Sequence, residues 1–162
     1  MESGQIRMID VTRKRETERR AVATGKIRMK PATLELIRQG KLEKGDVLAT
    51  ARTAGILAAK ETHRLIPLCH PIQLTHIAVE FDLPAKGRAL NPVECSIQIT
   101  ASARGIAKTG FEMEALVAVS ISALTIYDMC KAVDRGMTVG EIHLVRKSGG
   151  KSGLYVADGS PK

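Results

Sequence analysis

Tryptophan is missing from this 162-residue sequence, and the only other large rings are two tyrosines and two phenylalanines. Proteins that hold single-stranded nucleic acid stack successive bases on aromatic side chains, and so few rings cannot build that platform. Duplex binding through backbone contacts stays open. Cysteine is scarce too. Cys69, Cys95 and Cys130 form no Cys-x-x-Cys pair, and an odd number at wide spacing makes no disulfide framework and suits a reducing compartment. A charge-free apolar run of about 20 residues, the length of a membrane span, is absent: Phe111 to Val133 comes closest and is broken by Glu112, Glu114, Asp128 and Lys131. The opening Met-Glu-Ser-Gly-Gln has no basic start followed by an apolar core, so no secretory signal is visible. A soluble, cytoplasmic protein without a membrane partner is expected.

What the chain does have is positive charge. Its net charge of +8 points to an anionic partner, either nucleic acid or a phosphorylated small molecule. The length suits one domain with a real core. Residues 1–14 read as a polar, basic arm, 15–147 as the globular core, and 148–162 as a flexible tail rich in Gly, Ser and Lys, with no internal repeat.

Alternation of Ala21, Ala23, Ile27 and Met29 predicts one exposed strand over 17–29. Pro31 opens a helix whose apolar face is Leu34 and Ile37 and whose stop is Gly40. Asp46 is an N-cap for a helix from Val47 to about Thr62, and Gly55 within it implies a close neighbour. Pro67 and Pro71 pin a turn. Strands follow over 72–83 and 93–103, joined through Lys86, Gly87 and Asn91 as an antiparallel hairpin. A long helix runs from Phe111 to Asp134, and a last strand from Glu141 to Lys147. This order predicts an α+β fold of ferredoxin-like split βαβ type, one antiparallel sheet with helices on one face. Leu116, Val119, Ile121, Leu124 and Ile126 point in several directions on the long helix, more apolar surface than one sheet covers, so a second subunit is expected against it.

The strongest candidate site lies in Thr-Ile-Tyr-Asp-Met-Cys-Lys-Ala-Val-Asp (125–134). Asp128 and Lys131 sit three residues apart at the end of an apolar helix. An unpaired buried charge costs several kcal/mol, roughly, per ion. These two therefore either pair as structure, with Asp134 a further partner for Lys131, or wait for a ligand. Partial burial would lower the Lys131 pKa and let it move protons. Glu114, fourteen residues earlier, returns to nearly the same stripe, so one face is expected to hold Glu114, Asp128 and Lys131 together.

Three further segments compete with bland readings. Lys147-Ser-Gly-Gly-Lys-Ser-Gly153 ends like a phosphate-binding loop of nucleotide hydrolases, but Val145 stands where the first glycine belongs and no helix follows. What remains is a loop of free amides with Lys147 and Lys151 able to fold over phosphate oxygens, or a disordered tail. Cys69-His70 sits in a rigid turn; His63 and His76 lack ligand spacing, so no metal is expected. An imidazole offered to a ligand is preferred over a Cys–His nucleophile. Arg13, Lys14, Arg15, Arg19 and Arg20 are either a solvated basic face or cations for a neighbouring subunit's pocket, with Lys44 and Lys60 adding to the field.

Taken together, Gly-Asp-Val-Leu-Ala-Thr-Ala-Arg (45–52), Leu-Ile-Pro-Leu-Cys-His-Pro (65–71), Phe-Glu-Met-Glu-Ala-Leu (111–116), Ala-Leu-Thr-Ile-Tyr-Asp-Met-Cys-Lys-Ala (123–132) and Lys-Ser-Gly-Gly-Lys-Ser-Gly (147–153) resemble the cyclic pyranopterin monophosphate synthase family, molybdenum cofactor biosynthesis protein C. The likeness runs from Met8 to Gly153. It departs at Phe111, where valine is common, and at Val117, where threonine is common. The resemblance implies a lyase that turns 3′,8-cyclo-7,8-dihydroguanosine 5′-triphosphate into cyclic pyranopterin monophosphate and pyrophosphate, with no cofactor and no nucleic-acid partner. It also implies a homo-hexamer, a trimer of dimers, with sites at the dimer interface. By motif, it makes Asp128, Lys131 and Lys147 catalytic. It makes Leu68, Cys69, His70, Met113, Glu114, Lys44, Arg19 and Lys151 substrate-binding. The competing reading is a basic oligomeric module that binds nucleic acid or nucleotide without chemistry, which predicts steeply salt-dependent binding.

Overall fold

The protein is described by a computed structural model that covers residues 4–85 and 95–158. Lys86, Gly87, Asn91 and the predicted strand start at Val93 lie outside the described residues. The elements in chain order are β1 (Thr17–Met29), α1 (Pro31–Gln39), α2 (Val47–Lys60), α3 (Thr62–Leu65), β2 (His76–Asp82), β3 (Cys95–Ala107), α4 (Glu112–Cys130), β4 (Thr138–Ser148) and β5 (Tyr155–Val156).

The strands lie in the order β2-β3-β1-β4-β5, and every neighbouring pair is antiparallel. Two strands that are both antiparallel to a third run parallel to each other. Hence β1 and β2 are parallel with β3 between them, and β3 and β4 are parallel with β1 between them. These are two interlocked split βαβ units, the α+β ferredoxin-like arrangement expected from the sequence.

The register explains which face is buried. Ala21 faces Ala103, Ala23 faces Ala101, Gly25 faces Ile99 and Ile27 faces Ile97 across β1 and β3. All of these positions alternate onto the helix side, where Ala21, Ala23, Ile27, Ile97, Ile99, Ala101 and Ala103 have no exposed surface. The small residues in this row form a trough for α4. A Cβ at Gly25 would stand 2.7 Å from Val119 Cγ1, and one at Gly105 would stand 2.6 Å from Phe111 Cζ. On the far side of α4 the same device recurs: a Cβ at Gly55 of α2 would stand 2.8 Å from the Ala118 carbonyl oxygen. Ser122 Oγ donates to Ala51 O at 3.0 Å and ties the two helices. Helix α4 has the length and hydropathy of a membrane span, and it is the helix that the sheet and α2 enclose, with Ala115, Ala118, Val119, Ala123 and Ile126 at 1% exposure or less.

Local signals set the helix ends. Lys30 precedes Pro31 in extended backbone, and Gly40 closes α1 in the left-handed region at φ 61°, donating to Ile37 O and Leu36 O. Asp46 caps α2 by accepting from the Ala49 amide at 2.9 Å. Several expectations shift. β1, read as an exposed strand, is central in the sheet with one face buried. Residues 72–75 precede β2 rather than belong to it, β3 continues to Ala107, β4 starts at Thr138 rather than Glu141, and α4 ends at Cys130 rather than at Asp134. The reason for the last is that Asp134 turns inward. It is 2% exposed and accepts from Lys30 N at 2.9 Å, Thr33 Oγ1 at 3.0 Å and Gly136 N at 3.2 Å, clamping the start of α1 to the turn after α4. The tail, read as flexible throughout, carries β5, where Arg146 and Lys147 pair with Val156 and Tyr155.

Gly55→Val tests the α2–α4 contact. Overpacking there should cost about 1–3 kcal/mol and outweigh the gain of roughly 1 kcal/mol from replacing a helical glycine at most. Urea denaturation should give a lower midpoint with an unchanged slope.

Candidate functional site

Three groups of polar side chains sit around the two ends of α4. The first surrounds a cavity of about 470 Å³ at its N-terminal end, lined by Leu68, Cys69, His70, Glu112, Met113 and Glu114, with Arg7, Ile9 and Lys14 of the arm along it. Two local features bring these together. The turn between Pro67 and Pro71 is closed by Cys69 N donating to Ile66 O at 3.1 Å, and the first turn of α4 presents Glu112 and Glu114 in opposite directions. Two residues apart on a helix, their side chains diverge by about 200°. Glu112 points outward and accepts from Lys147 Nζ at 2.8 Å. Glu114 points inward, is 3% exposed, and its Oε2 has no hydrogen-bond partner among the described residues. Burial pushes the Glu114 carboxyl up to about 7, against the pull of a backbone hydrogen bond and with a small push from the Glu112 charge. Burial also raises the Cys69 thiol, with the Glu114 and Glu112 charges adding to it. The arm closes over this group, with His70 Nε2 donating to Ile9 O at 2.7 Å.

The second group is a cleft of about 670 Å³ lined by Arg13, Lys14, Arg15, Arg19 and Lys151, with Thr17, Gly150 and Ser152 and no carboxylate among the described residues. Arg19 is fixed from behind: its Nε donates to Ala107 O at 3.0 Å and an η nitrogen donates to Lys108 O at 3.2 Å. Gly149 and Gly150 take φ of +96° and +71°, which side chains rarely adopt. A Cβ on Gly150 would also meet the Arg19 guanidinium, 2.6 Å from Cζ. The Gly-Ser-Lys loop and the basic arm, expected to serve a neighbour, thus build one cleft within the same chain. Lys14 lines both this cleft and the first cavity. Arg20 lies apart, on the open face of the sheet beside His76 and Arg104.

The third group lies at the C-terminal end of α4. Asp128 bridges two ammonium groups, Lys44 Nζ at 2.6 Å and Lys131 Nζ at 2.7 Å, and Lys44 also donates to the Asp128 carbonyl at 3.1 Å. The expectation of a buried pair is corrected here: in the single chain the Asp128 and Lys131 side chains are each 54% exposed. The expected fall in the Lys131 pKa is reversed, because its hydrogen bond to Asp128 and that carboxylate's charge raise it. Hydrogen bonds from Lys131 and then Lys44 hold Asp128 down at about 2. Asp134 is not a partner of Lys131; it serves the clamp described above.

The expectation that one face holds Glu114, Asp128 and Lys131 together is corrected: Glu114 is enclosed, Asp128 and Lys131 are exposed, and they stand at opposite ends of α4. Fourteen residues of helix are about 21 Å. In one chain, then, Lys147, Leu68, Cys69, His70, Met113 and Glu114 form one group, Arg19 and Lys151 form the cleft beside it, and Lys44, Asp128 and Lys131 stand at the far end. The sequence reading passed over Glu112 as a partner for Lys147; its place two residues before Glu114 was the available signal. Among the described residues no group of three or more His, Cys, Asp and Glu side chains gathers as a metal cage.

These features define an α+β protein of ferredoxin-like topology that joins a cationic cleft to a cavity walled by a buried carboxyl. The chain belongs to the MoaC family, whose model matches residues 8–150. It is 57% identical to the cyclic pyranopterin monophosphate synthase of Roseiflexus sp. (strain RS-1), over 97% of this chain and 95% of that one. It is 53% identical to the same enzyme of Thermoanaerobacter pseudethanolicus, over 95% and 93%, and 52% identical to that of Clostridium perfringens (strain 13 / Type A), over 94% and 92%.

The Glu114 carboxyl titrates near 7 when folded and, with its ordinary value of 4.5, lower when unfolded. Between these values the folded chain holds a proton that the unfolded chain has released. Stability should therefore fall as pH rises from about 4.5 to about 7 and level off above. Glu114→Gln should remove that decline, as measured by urea midpoints across the range.

Proposed function

We propose that this protein is a cyclic pyranopterin monophosphate synthase of molybdenum cofactor biosynthesis, acting in the cytoplasm. It converts 3′,8-cyclo-7,8-dihydroguanosine 5′-triphosphate into cyclic pyranopterin monophosphate and pyrophosphate. The observation that carries the reading is the near-full-length likeness to enzymes of that name, with a carboxylate-free cationic cleft opening beside a ring-sized cavity.

In this reading the triphosphate, with about four negative charges at neutral pH, lies in the cleft among Arg13, Lys14, Arg15, Arg19 and Lys151. Preorganised cations stabilise charge that gathers on departing pyrophosphate. The guanine-derived ring enters the cavity against Leu68, Cys69, His70, Met113 and Glu114. Lys147, anchored on Glu112, stands at the boundary between ring and phosphates. Lys131, whose ammonium form the Asp128 carboxylate favours, and Lys44, held on the same carboxylate, act as an electrostatic clamp on anionic oxygens rather than as a proton relay.

The clamp reaches the cavity through a second copy. Glu112 and Asp128 are sixteen residues apart, about 24 Å along one helix. The outward stripe of α4 leaves Leu124 54% exposed, with Leu116 and Ile121 half-buried beside it. A two-fold axis that pairs these stripes antiparallel sets the N-terminal end of one α4 against the C-terminal end of the other. Such a contact is isologous and makes two equal sites. Three such dimers make the hexamer.

Incubation with the cyclised nucleotide should release pyrophosphate. Lys131→Ala and Lys147→Ala should each abolish turnover. When the two inactive variants are unfolded together and refolded as mixed dimers, about a quarter of sites should regain both lysines. Failure of the mixture to recover activity would exclude the shared site, and failure of the wild type to release pyrophosphate would exclude the function.

A further inference from the structure

Two ionisable side chains of the cavity wall are already engaged. Glu112 Oε1 holds Lys147, and His70 Nε2 is bonded to Ile9 O. At the other end of α4, each Asp128 oxygen holds an ammonium. Glu114 differs. It is 3% exposed, it belongs to the cavity wall, and its Oε2 has no partner. A folded protein rarely leaves a buried polar atom unmatched without a use for it. We propose that Glu114 is the acid–base residue of the ring chemistry: Oε2 gives a proton to a ring nitrogen or oxygen of the bound nucleotide-derived substrate and takes it back as the rearranged ring closes.

The assignment rests on the synthase reading above. In the forward step the Oε2–H bond breaks and an N–H or O–H bond forms on the ring. In the return step that proton goes back to the carboxylate, so no oxidant, reductant or further reactant is required. Two carboxyls two residues apart are driven to different states by their surroundings. Glu112 points outward and pairs with Lys147 Nζ at 2.8 Å, whereas Glu114 points inward and is desolvated, which favours the neutral acid. The other groups around it are Cys69 and His70 from the turn after α3 and Arg7 and Lys14 from the arm. None of them is an ion-pair partner of Glu114. Within one chain, among the described residues, its carboxylate therefore has no fixed counter-charge, and the ammonium groups that the proposed second copy brings to the cavity, Lys44 and Lys131, are held on that copy's own Asp128. A carboxyl that changes state near neutral pH is what proton exchange at that pH requires.

The test is the pH dependence of pyrophosphate release for the wild type, Glu114→Gln and Asp128→Asn. The wild-type kcat should fall as pH rises through about 7. Glu114→Gln should lose on the order of 10²- to 10⁴-fold in kcat, show no such limb and keep KM within a few-fold. Asp128→Asn should lower the rate and keep the limb. A limb that survives in Glu114→Gln, or a kcat within tenfold of wild type, overturns the proposal and leaves the synthase reading standing. A wild type that releases no pyrophosphate at any pH overturns both. Carboxyl ¹³C NMR of the ligand-free, glutamate-labelled protein, with the signal assigned by its loss in Glu114→Gln, reads the residue without turnover. Titration near 7 supports the assignment, and titration in the ordinary glutamate range overturns it. Should Glu114→Gln melt below the wild type, Glu114→Asp takes its place in the kinetic comparison. That variant keeps the acid but withdraws it by one methylene, and is expected to keep the limb at reduced kcat.

Discussion

The structure depends on how closely α4 approaches the sheet on one side and α2 on the other. Alanine and glycine line the sheet trough at Ala21, Ala23, Gly25, Ala101 and Ala103. Gly55 does the same work on α2, leaving no space for a side chain beside Ala118. This close packing is what lets one helix be apolar nearly all the way round and still be enclosed. It also fixes the helix ends as rigid platforms. Interiors packed to this density do not deform continuously, so side chains on the first and last turns of α4 hold their places relative to the strands. Functional groups on both ends inherit that rigidity.

Such a platform has a geometric consequence. A long straight helix can bring two of its own residues onto one line, but it cannot bring them close. Glu114 and Asp128, fourteen residues apart, are separated by about 21 Å along α4. Chemistry that needs both ends requires a second helix running the other way. In the proposed dimer the polar ends and the partly uncovered stripe of Leu116, Ile121 and Leu124 would be two aspects of one arrangement, because an isologous pairing would cover the stripe and join the ends in a single step.

Much of the fold was legible because local signals and the global pattern agreed. Alternation gave β1 as Thr17–Met29, Pro31 and Gly40 bracketed α1, and Asp46 capped α2. Where the reading slipped, a tertiary contact had overridden local preference. Asp134 looked like a helix residue and is pulled into a clamp on Lys30, Thr33 and Gly136. Tyr155 and Val156 are too few to show a period, yet they pair with β4. In the candidate site, hydropathy misplaced the burial of the residues that motif likeness pointed to. An apolar run tells that a helix has neighbours on many sides without telling which of its turns protrudes. Asp128 and Lys131 lie on a protruding turn, and Glu114 is the charge-bearing residue that is enclosed.

That exchange of roles changes the physical character of the acids. A carboxylate bridged by Lys44 and Lys131 is stabilised as an anion and stays one throughout the neutral range. It can orient cations but has no proton to give. A carboxyl enclosed by apolar atoms is stabilised as an acid, and its value of about 7 lets either form be reached without great cost. Both states of affairs follow from surroundings rather than from residue type, since the intrinsic acidities of Asp and Glu differ by only about 0.4 pKa units. The sequence places an acid at each end of α4; the packing decides which end holds charge and which end can exchange it.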